Sequence, residues 1–203
     1  MRVLIACEES QIVAKQFFLK GHDVISCDIE YPGAKGLPHY LGNVLDILYD
    51  GWDLMVGHPV CTFMANSGVR WLKHEMNIWG EDAPRYVELL KGCDFFNKLF
   101  NAPIKKIALE NPIPHKYAKH YIGNYNQIVQ PWYFGDPYFK GTCLWLKNLP
   151  ELQDTDRLIP PKPGTDEHKR WSIVHQEPPG PNRKRNRSRT FPGIAKAMAE
   201  QWG

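Results

Sequence analysis

The sequence predicts an α/β fold, a mostly parallel sheet with helices on both faces. Three observations carry this. The chain opens on a strand–helix–strand pattern. Apolar runs of strand length recur further on, separated by helical stretches and by turns rich in Gly and Pro. Finally, Asp28, Cys61 and Glu110 each fall just after one of those runs. In open α/β sheets the ligand crevice lies at the carboxyl ends of the strands, so a site is expected at that edge.

The elements follow in order. Arg2–Ala6 is a short run with Val, Leu and Ile, the pattern of a strand buried on both faces. Residues 10–19 read as a helix, with Ile12, Val13, Gln16 and Phe17 at helical spacing and Gly21 closing it. Residues 23–27 form a second strand that ends at Asp28. A β-α-β unit of this kind implies parallel pairing. Residues 53–56 are a further strand, running into the turn Gly57-His58-Pro59-Val60-Cys61. Pro84–Phe100 is an amphipathic helix that starts on proline, with Tyr86, Leu89, Leu90, Cys93, Phe96 and Leu99 spaced for one face. Residues 104–109 are another buried strand, followed by Glu110-Asn111-Pro112. Residues 128–134 and 142–146 read as an antiparallel strand pair at the far edge. Residues 150–181 are rich in Pro, Gly and charge, with little periodicity, and read as an excursion without a core of its own. Pro192–Trp202 is a closing helix with Ile194, Ala197 and Met198 turned inward.

The chain has 203 residues, which suits one α/β domain, and no internal repeat is visible. Hydrophobic residues make up 43 % of it, enough for a packed core. No apolar run approaches the roughly 20 residues that span a bilayer. The opening turns acidic too soon for a secretory signal, so a soluble cytoplasmic protein with no membrane partner is expected. The five cysteines are far apart and form no C-x-x-C pair, which argues against a disulfide framework or a zinc knuckle. His58, His115 and His120 with Cys61 match no usual zinc spacing, so no metal is expected. Net charge is +3, but Arg183, Lys184, Arg185, Arg187 and Arg189 crowd into one stretch. That cluster suits a polyanion and equally suits a solvated loop.

Each candidate residue has a plain reading beside a chemical one. Cys61 sits in a breaker-rich turn where a thiol is accessible and open to activation, although burial as a small apolar side chain is the commoner fate of cysteine. Glu110 is either a cap for a following helix or a proton donor to a bound base. Asp28 is either an ordinary strand end or an acceptor for ribose hydroxyls. Trp132, Tyr133, Phe134 and Tyr138 are either a stacking platform for bases or an edge-strand core. Arg70, Trp71 and Trp79 belong either to a mobile lid or to a surface loop.

Taken as an ordered set, these segments resemble the C5-cytosine DNA methyltransferase family, in its short, phage- or prophage-type form. Ala6-Cys7-Glu8-Glu9-Ser10 stands at the first cofactor loop, and Ser26-Cys27-Asp28 looks like the second motif. Gly42-Asn43-Val44 looks like the third, Pro59-Val60-Cys61 like the Pro-Cys nucleophile motif and Glu110-Asn111 like the Glu-Asn motif. The stretch from Thr190 to Ala199 is similar to the last motif, a helix beside the first strand. The likeness covers most of the chain outside residues 149–189. Three departures stand out: Glu8, Glu9 and Ser10 replace the glycine-rich loop, Val60 replaces a proline, and Lys140 is the nearest basic stand-in for the Gln-x-Arg-x-Arg motif.

The resemblance implies a Rossmann-like, S-adenosylmethionine-dependent methyltransferase fold over residues 1–203, with an irregular excursion at about 150–190 in place of a full target-recognition domain. It implies S-adenosyl-L-methionine as cofactor, held by Cys7, Glu8, Glu9, Ser10, Asp28, Ile29, Asn43, His58 and Pro59. Catalysis falls to Cys61, Glu110, Asn111 and Lys140. DNA is the expected partner, met by Asn66 and Ser67 and by Arg183, Lys184, Arg185, Arg187 and Arg189. A separate recognition subunit or a homo-oligomer is left open. In the implied reaction the Cys61 thiolate adds to C6 of cytosine, and Glu110, with a raised pKa, supplies the proton at N3. The alternatives are the same chemistry on RNA or a free nucleotide, or an inactive module that binds nucleic acid.

Overall fold

A computed structural model describes residues 1–33, 36–180, 183–188 and 190–203, without the side chains of 184 and 185. Within these residues the chain runs β1 (Arg2–Ala6), α1 (Ile12–Leu19), β2 (Asp23–Asp28), β3 (His39–Leu41), β4 (Leu54–Gly57), α2 (Val69–Trp79) and α3 (Pro84–Phe100). It continues through β5 (Lys106–Pro112), α4 (Lys116–Ile122), β6 (Gln127–Val129) and β7 (Thr142–Lys147). Three short helices follow, α5 (Asp166–Trp171), α6 (Ile173–Gln176) and α7 (Arg183–Ser188), before the closing α8 (Pro192–Trp202). Among the described residues the strands form one sheet in the order β3-β2-β1-β4-β5-β7-β6. Every pairing from β3 through β5 is parallel, and β7 runs antiparallel to both β5 and β6. This is the expected α/β, Rossmann-like architecture, with the antiparallel pair at the far edge.

Alternation along the strands builds a core on each face. Leu4, Met55, Ile107, Leu109 and Trp145 pack against Leu89, Cys93 and Phe96 of α3 and Ala118 and Ile122 of α4. Val3, Ile5, Val24, Leu54, Val56 and Ala108 face the other way, onto Val13 and Phe17 of α1 and Ile194, Met198 and Trp202 of α8. The closing helix thus covers the first strand, as the sequence implied. No helix among the described residues is long and apolar enough to cross a membrane.

Several boundaries differ from expectation. α1 begins at Ile12, because Gln11 has φ 56° and a left-handed residue cannot continue a helix. β5 continues to Pro112, since Glu110, Asn111 and Pro112 pair with Leu144, Cys143 and Thr142. β6 stops at Val129, where Pro131 opens a 3-10 turn (Pro131–Tyr133) and offers no N–H to a ladder. The stretch after the Cys61 turn folds as α2. The excursion is only partly irregular: it carries α5 to α7, and Trp171 is buried in it.

Candidate active site

The register of the sheet decides which side chains meet. Ala6 lies opposite Cys27 and Gly57, and Gly57 lies opposite Leu109. One residue further on, Asp28, Cys7, His58 and Glu110 therefore stand in a row across the carboxyl edge of the parallel strands. His58 is held into that row by its backbone N–H, which donates to the Ala6 carbonyl at 2.9 Å.

Glu110 is the centre of the row. It is 8 % exposed and sits inside β5, so it caps no helix. His58 Nδ1 donates to its Oε2 at 2.7 Å, and Thr190 Oγ1 donates to the same oxygen at 3.2 Å. Burial alone would raise the Glu110 pKa. The charge of Lys140 and the bonds from His58 and Thr190 outweigh it, and the pKa falls to about 2. The expectation of a raised Glu110 is thereby corrected: its carboxylate is held ionised by the charge of Lys140 and by the hydrogen bonds from His58 and Thr190. For His58, burial disfavours the charged ring, but the hydrogen bond and charge of Glu110 prevail and the pKa is raised. Its Nε2 is buried with no hydrogen-bond partner among the described residues. Asn111, 2 % exposed, has none on either amide atom. Orphaned buried polar groups are costly and mark places where a ligand supplies the missing partner.

Cys61 lies beyond β4 on a loop that is latched to the segment after Glu110. The Cys61 carbonyl accepts from Met64 N at 3.0 Å and Ala65 N at 3.1 Å, closing a tight turn. Ala65 bridges Pro114, and Asn66 N donates to the Ile113 carbonyl at 3.2 Å. His115 completes the latch: its Nε2 donates to the Phe63 carbonyl at 2.8 Å, while its Nδ1 accepts from Ala118 N and caps α4. The sequence offered His115 only as a metal ligand; its place just past Glu-Asn-Pro was the available clue. Cys61 is half-buried. Burial pushes the Cys27 and Cys143 thiols up to about 12 and Cys93 to about 11, and pushes Cys7 up as well. Those four are poor thiolates.

The loop after β1 departs from the sequence reading. Glu8 is 4 % exposed, and its carboxylate accepts from Val13 N at 2.7 Å and Ala14 N at 3.1 Å. Ser10 Oγ donates to it at 3.2 Å. Glu8 caps α1, because the free N–H groups and dipole of a helix start attract a carboxylate. Ser10 supports that cap. Neither side chain is turned outward to a cofactor. Glu9 joins the loop to its neighbour through its carbonyl, which accepts from Gly33 N at 2.7 Å. Asp28 Oδ1 accepts from Glu30 N at 2.9 Å, and Asn43 Oδ1 accepts from Leu45 N at 3.0 Å. Beside them lies a cavity of about 350 Å³, walled by Ile29, Asn43, Val60, Phe63, Met64 and Phe95, with Glu88 and Lys91 also on its wall. Pro59 is buried beneath the loop.

The basic stretch approaches the same edge. Arg183 and Arg187 are half-buried on α7, whereas Arg189 and the side chains of Lys184 and Arg185 lie outside the described residues. Lys140 Nζ donates to the Ser188 carbonyl at 3.3 Å, which ties the end of α7 to the Glu110 surroundings. Thr190, two residues on, was not singled out from sequence. Asn66 and Ser67 are exposed in a 3-10 turn (Asn66–Gly68) directly after the Cys61 loop. Trp132 and Tyr133 stack with Arg157, and Phe134 is core, so that group forms no open platform. Trp71 and Trp79 are exposed on α2, beside the Cys61 loop. Among the described residues no three His, Cys, Asp or Glu side chains converge as metal ligands.

No protein-family model matches the chain, and neither does a curated protein. Among solved structures it is similar to a "putative DNA modification methyltransferase" encoded within an E. coli prophage, at 13 % identity and a TM-score of 0.44. The match covers 72 % of this chain and 46 % of that one, so this chain spans less than half of its length.

Proposed function

We propose that this chain transfers a methyl group from S-adenosyl-L-methionine to C5 of cytosine in DNA, with Cys61 bonding covalently to C6 of the base. The observation that carries the reading is the backbone latch between the Cys61 loop and the segment that follows Glu110 and Asn111. Ala65 bridges Pro114 and Asn66 N donates to the Ile113 carbonyl, which joins the loop of the half-buried thiol to the end of the strand that holds the buried polar pair.

The residues present fit the cofactor. The apolar cavity beside Ile29, Asn43 and Val60 suits a flat ring, and Asp28 at the end of β2 suits ribose hydroxyls. The helix start of α1, already occupied by Glu8, is closed to the cofactor's carboxylate. When bound, S-adenosyl-L-methionine supplies an electrophilic methyl group on a sulfonium.

The protein's part is to make C5 a nucleophile. A thiolate at Cys61 adds to C6 and breaks the C5–C6 double bond, and electron density moves through C4 toward N3. Glu110 answers at N3, while Asn111, its neighbour on β5, turns its amide to the opposite face of the strand. Lys140 keeps the carboxylate in place by its charge. Loss of the C5 proton then expels the thiolate. In a duplex the cytosine must leave the stack to reach Cys61, and α7 with its arginines, tied to Lys140, suits the flanking phosphates.

The test offers methyl-labelled S-adenosyl-L-methionine with DNA, RNA or dCMP in parallel, then digests to nucleosides. 5-Methylcytosine from the DNA arm is expected. Label in an exocyclic amine instead would overturn the C5 assignment; label only with RNA or dCMP would move the substrate.

A further inference from the structure

Resting on the proposed reaction, we infer that His58 stores the proton that Glu110 delivers to N3 of the target base. The motive is a mismatch within the site. N3 needs a proton as the thiolate adds, yet Glu110, the group that reaches it, is held ionised by Lys140, His58 and Thr190. A carboxylate has no proton to give. The nearest one lies on His58 Nδ1, 2.7 Å from Glu110 Oε2.

The geometry suits a relay. The pair is formed by sheet register, since Gly57 and Leu109 are partners and the next residue on each strand is His58 and Glu110. Side-chain exposures of 14 % and 8 % keep bulk water from competing for the proton. The charged groups that face His58 come from three elements: Glu110 from β5, Glu8 from the loop after β1, and Lys140 from the loop before β7. The two carboxylates favour the imidazolium and Lys140 opposes it. In the resting pair the proton therefore stays on His58, and it moves only when a base bound at Glu110 takes it up in the same step.

The steps balance. The S–C6 bond forms, the C5–C6 π bond breaks, and the C4–N3 π electrons settle on N3. The Nδ1–H bond of His58 breaks and the Glu110 carboxyl gains that proton, then passes it to N3. His58 is left neutral and Glu110 is again a carboxylate. C5 then takes the methyl group and the C4–N3 double bond re-forms on a ring protonated at N3; as the C5 proton leaves to solvent and the S–C6 bond breaks, N3 returns its proton through Glu110 to His58. His58 thus acts through Glu110, as a positioning and proton-storing residue.

Two measurements test this. In the protein without cofactor, NMR titration should find the His58 imidazole above its ordinary pKa, and Glu110→Gln should bring it down. A titration unmoved by Glu110→Gln would overturn the proposal. The second uses an oligodeoxynucleotide containing 5-fluorocytosine, with S-adenosyl-L-methionine, and follows the covalent adduct against pH. In the wild type the rate should follow the product of Cys61 thiolate and His58 imidazolium, and fall tenfold per pH unit above the higher of the two pKa values. His58→Asn keeps an N–H to Glu110 but holds no titratable proton; it should form adduct about 100-fold more slowly, the low end for general acid catalysis, and lack the falling limb. Its thermal melting should match that of His58→Gln, a second variant in case Asn is not tolerated. Adduct formation in His58→Asn at the wild-type rate, with the wild-type falling limb, would overturn the relay while leaving the reaction intact. No wild-type adduct on any cytosine substrate would overturn the reaction and the relay with it.

Discussion

Replacing Glu8 by Ala separates the two roles this residue has been given. α1 presents free N–H groups at its start, and Glu8 takes those of Val13 and Ala14 at 2.7 and 3.1 Å while itself buried. Each buried donor left without a partner costs about 1–3 kcal/mol. With partial relaxation of the first turn, Glu8→Ala should lose about 3 kcal/mol. For a chain of this size that is a fall in melting temperature of about 6–12 °C. Glu8→Gln keeps the shape and one acceptor but aims an NH₂ at the second donor, so it should lose about half as much. Circular dichroism melts of the three proteins, with calorimetry of S-adenosyl-L-methionine binding, give the readout. A Glu8→Ala protein that melts like the wild type yet binds cofactor much more weakly would refute the capping account and restore Glu8 as a ligand.

Three more outcomes follow from the same structure. A Cβ on Gly193 would run into the Phe134 carbonyl oxygen, so Gly193→Ala should destabilise by about 1–3 kcal/mol and shift the start of α8, which loosens Thr190 from Glu110; urea unfolding checks it. Glu110 is depressed from 4.5 to about 2, so its contribution to stability is complete above pH 4.5 and is lost as pH falls through about 2. Unfolding free energy measured across that window should drop in the wild type and stay flatter in Glu110→Gln. Neutralising Arg183, Lys184, Arg185, Arg187 and Arg189 should weaken DNA binding and flatten its salt dependence, by about 0.9 in log–log slope per lost phosphate contact; an unchanged slope would make the stretch a solvated segment.

How much of this was legible in the sequence depends on the range of the interaction. β1, β2, β4 and β5 were readable because both of their faces are buried, so Val3, Leu4 and Ile5 leave an unbroken apolar run. α3 and α8 were readable because proline starts each and one face of each is packed. α2 was not, because its apolar side chains mostly stay exposed: Leu72 is buried while Trp71, Ile78 and Trp79 are not, so its sequence also reads as a surface loop. β3 is three residues long, too short to carry a period. The site divides in the same way. The positions of Asp28, Cys61 and Glu110 at the carboxyl edge of the sheet were legible because strand ends are local signals. The ionisation of Glu110 depends on His58, Lys140 and Thr190, and the hydrogen bonds from His58 and Thr190 span 52 and 80 residues of sequence. Nothing in a linear reading joins them. The capping contacts of Glu8 were not legible because its partners are backbone N–H groups, which the sequence does not display.

The most direct test of the central claim is to map the covalent adduct. An oligodeoxynucleotide with fluorine at C5 of the target cytosine is incubated with the protein and S-adenosyl-L-methionine, digested, and sequenced by mass spectrometry. Fluorine cannot leave as a cation, so the last elimination stops and the enzyme stays bonded to C6. The modified peptide should carry the base on Cys61, should be absent in Cys61→Ser, and should persist in Cys143→Ala, whose thiol is buried. An adduct on any other residue, or none from a protein shown by calorimetry to bind the cofactor, would contradict Cys61 as the nucleophile.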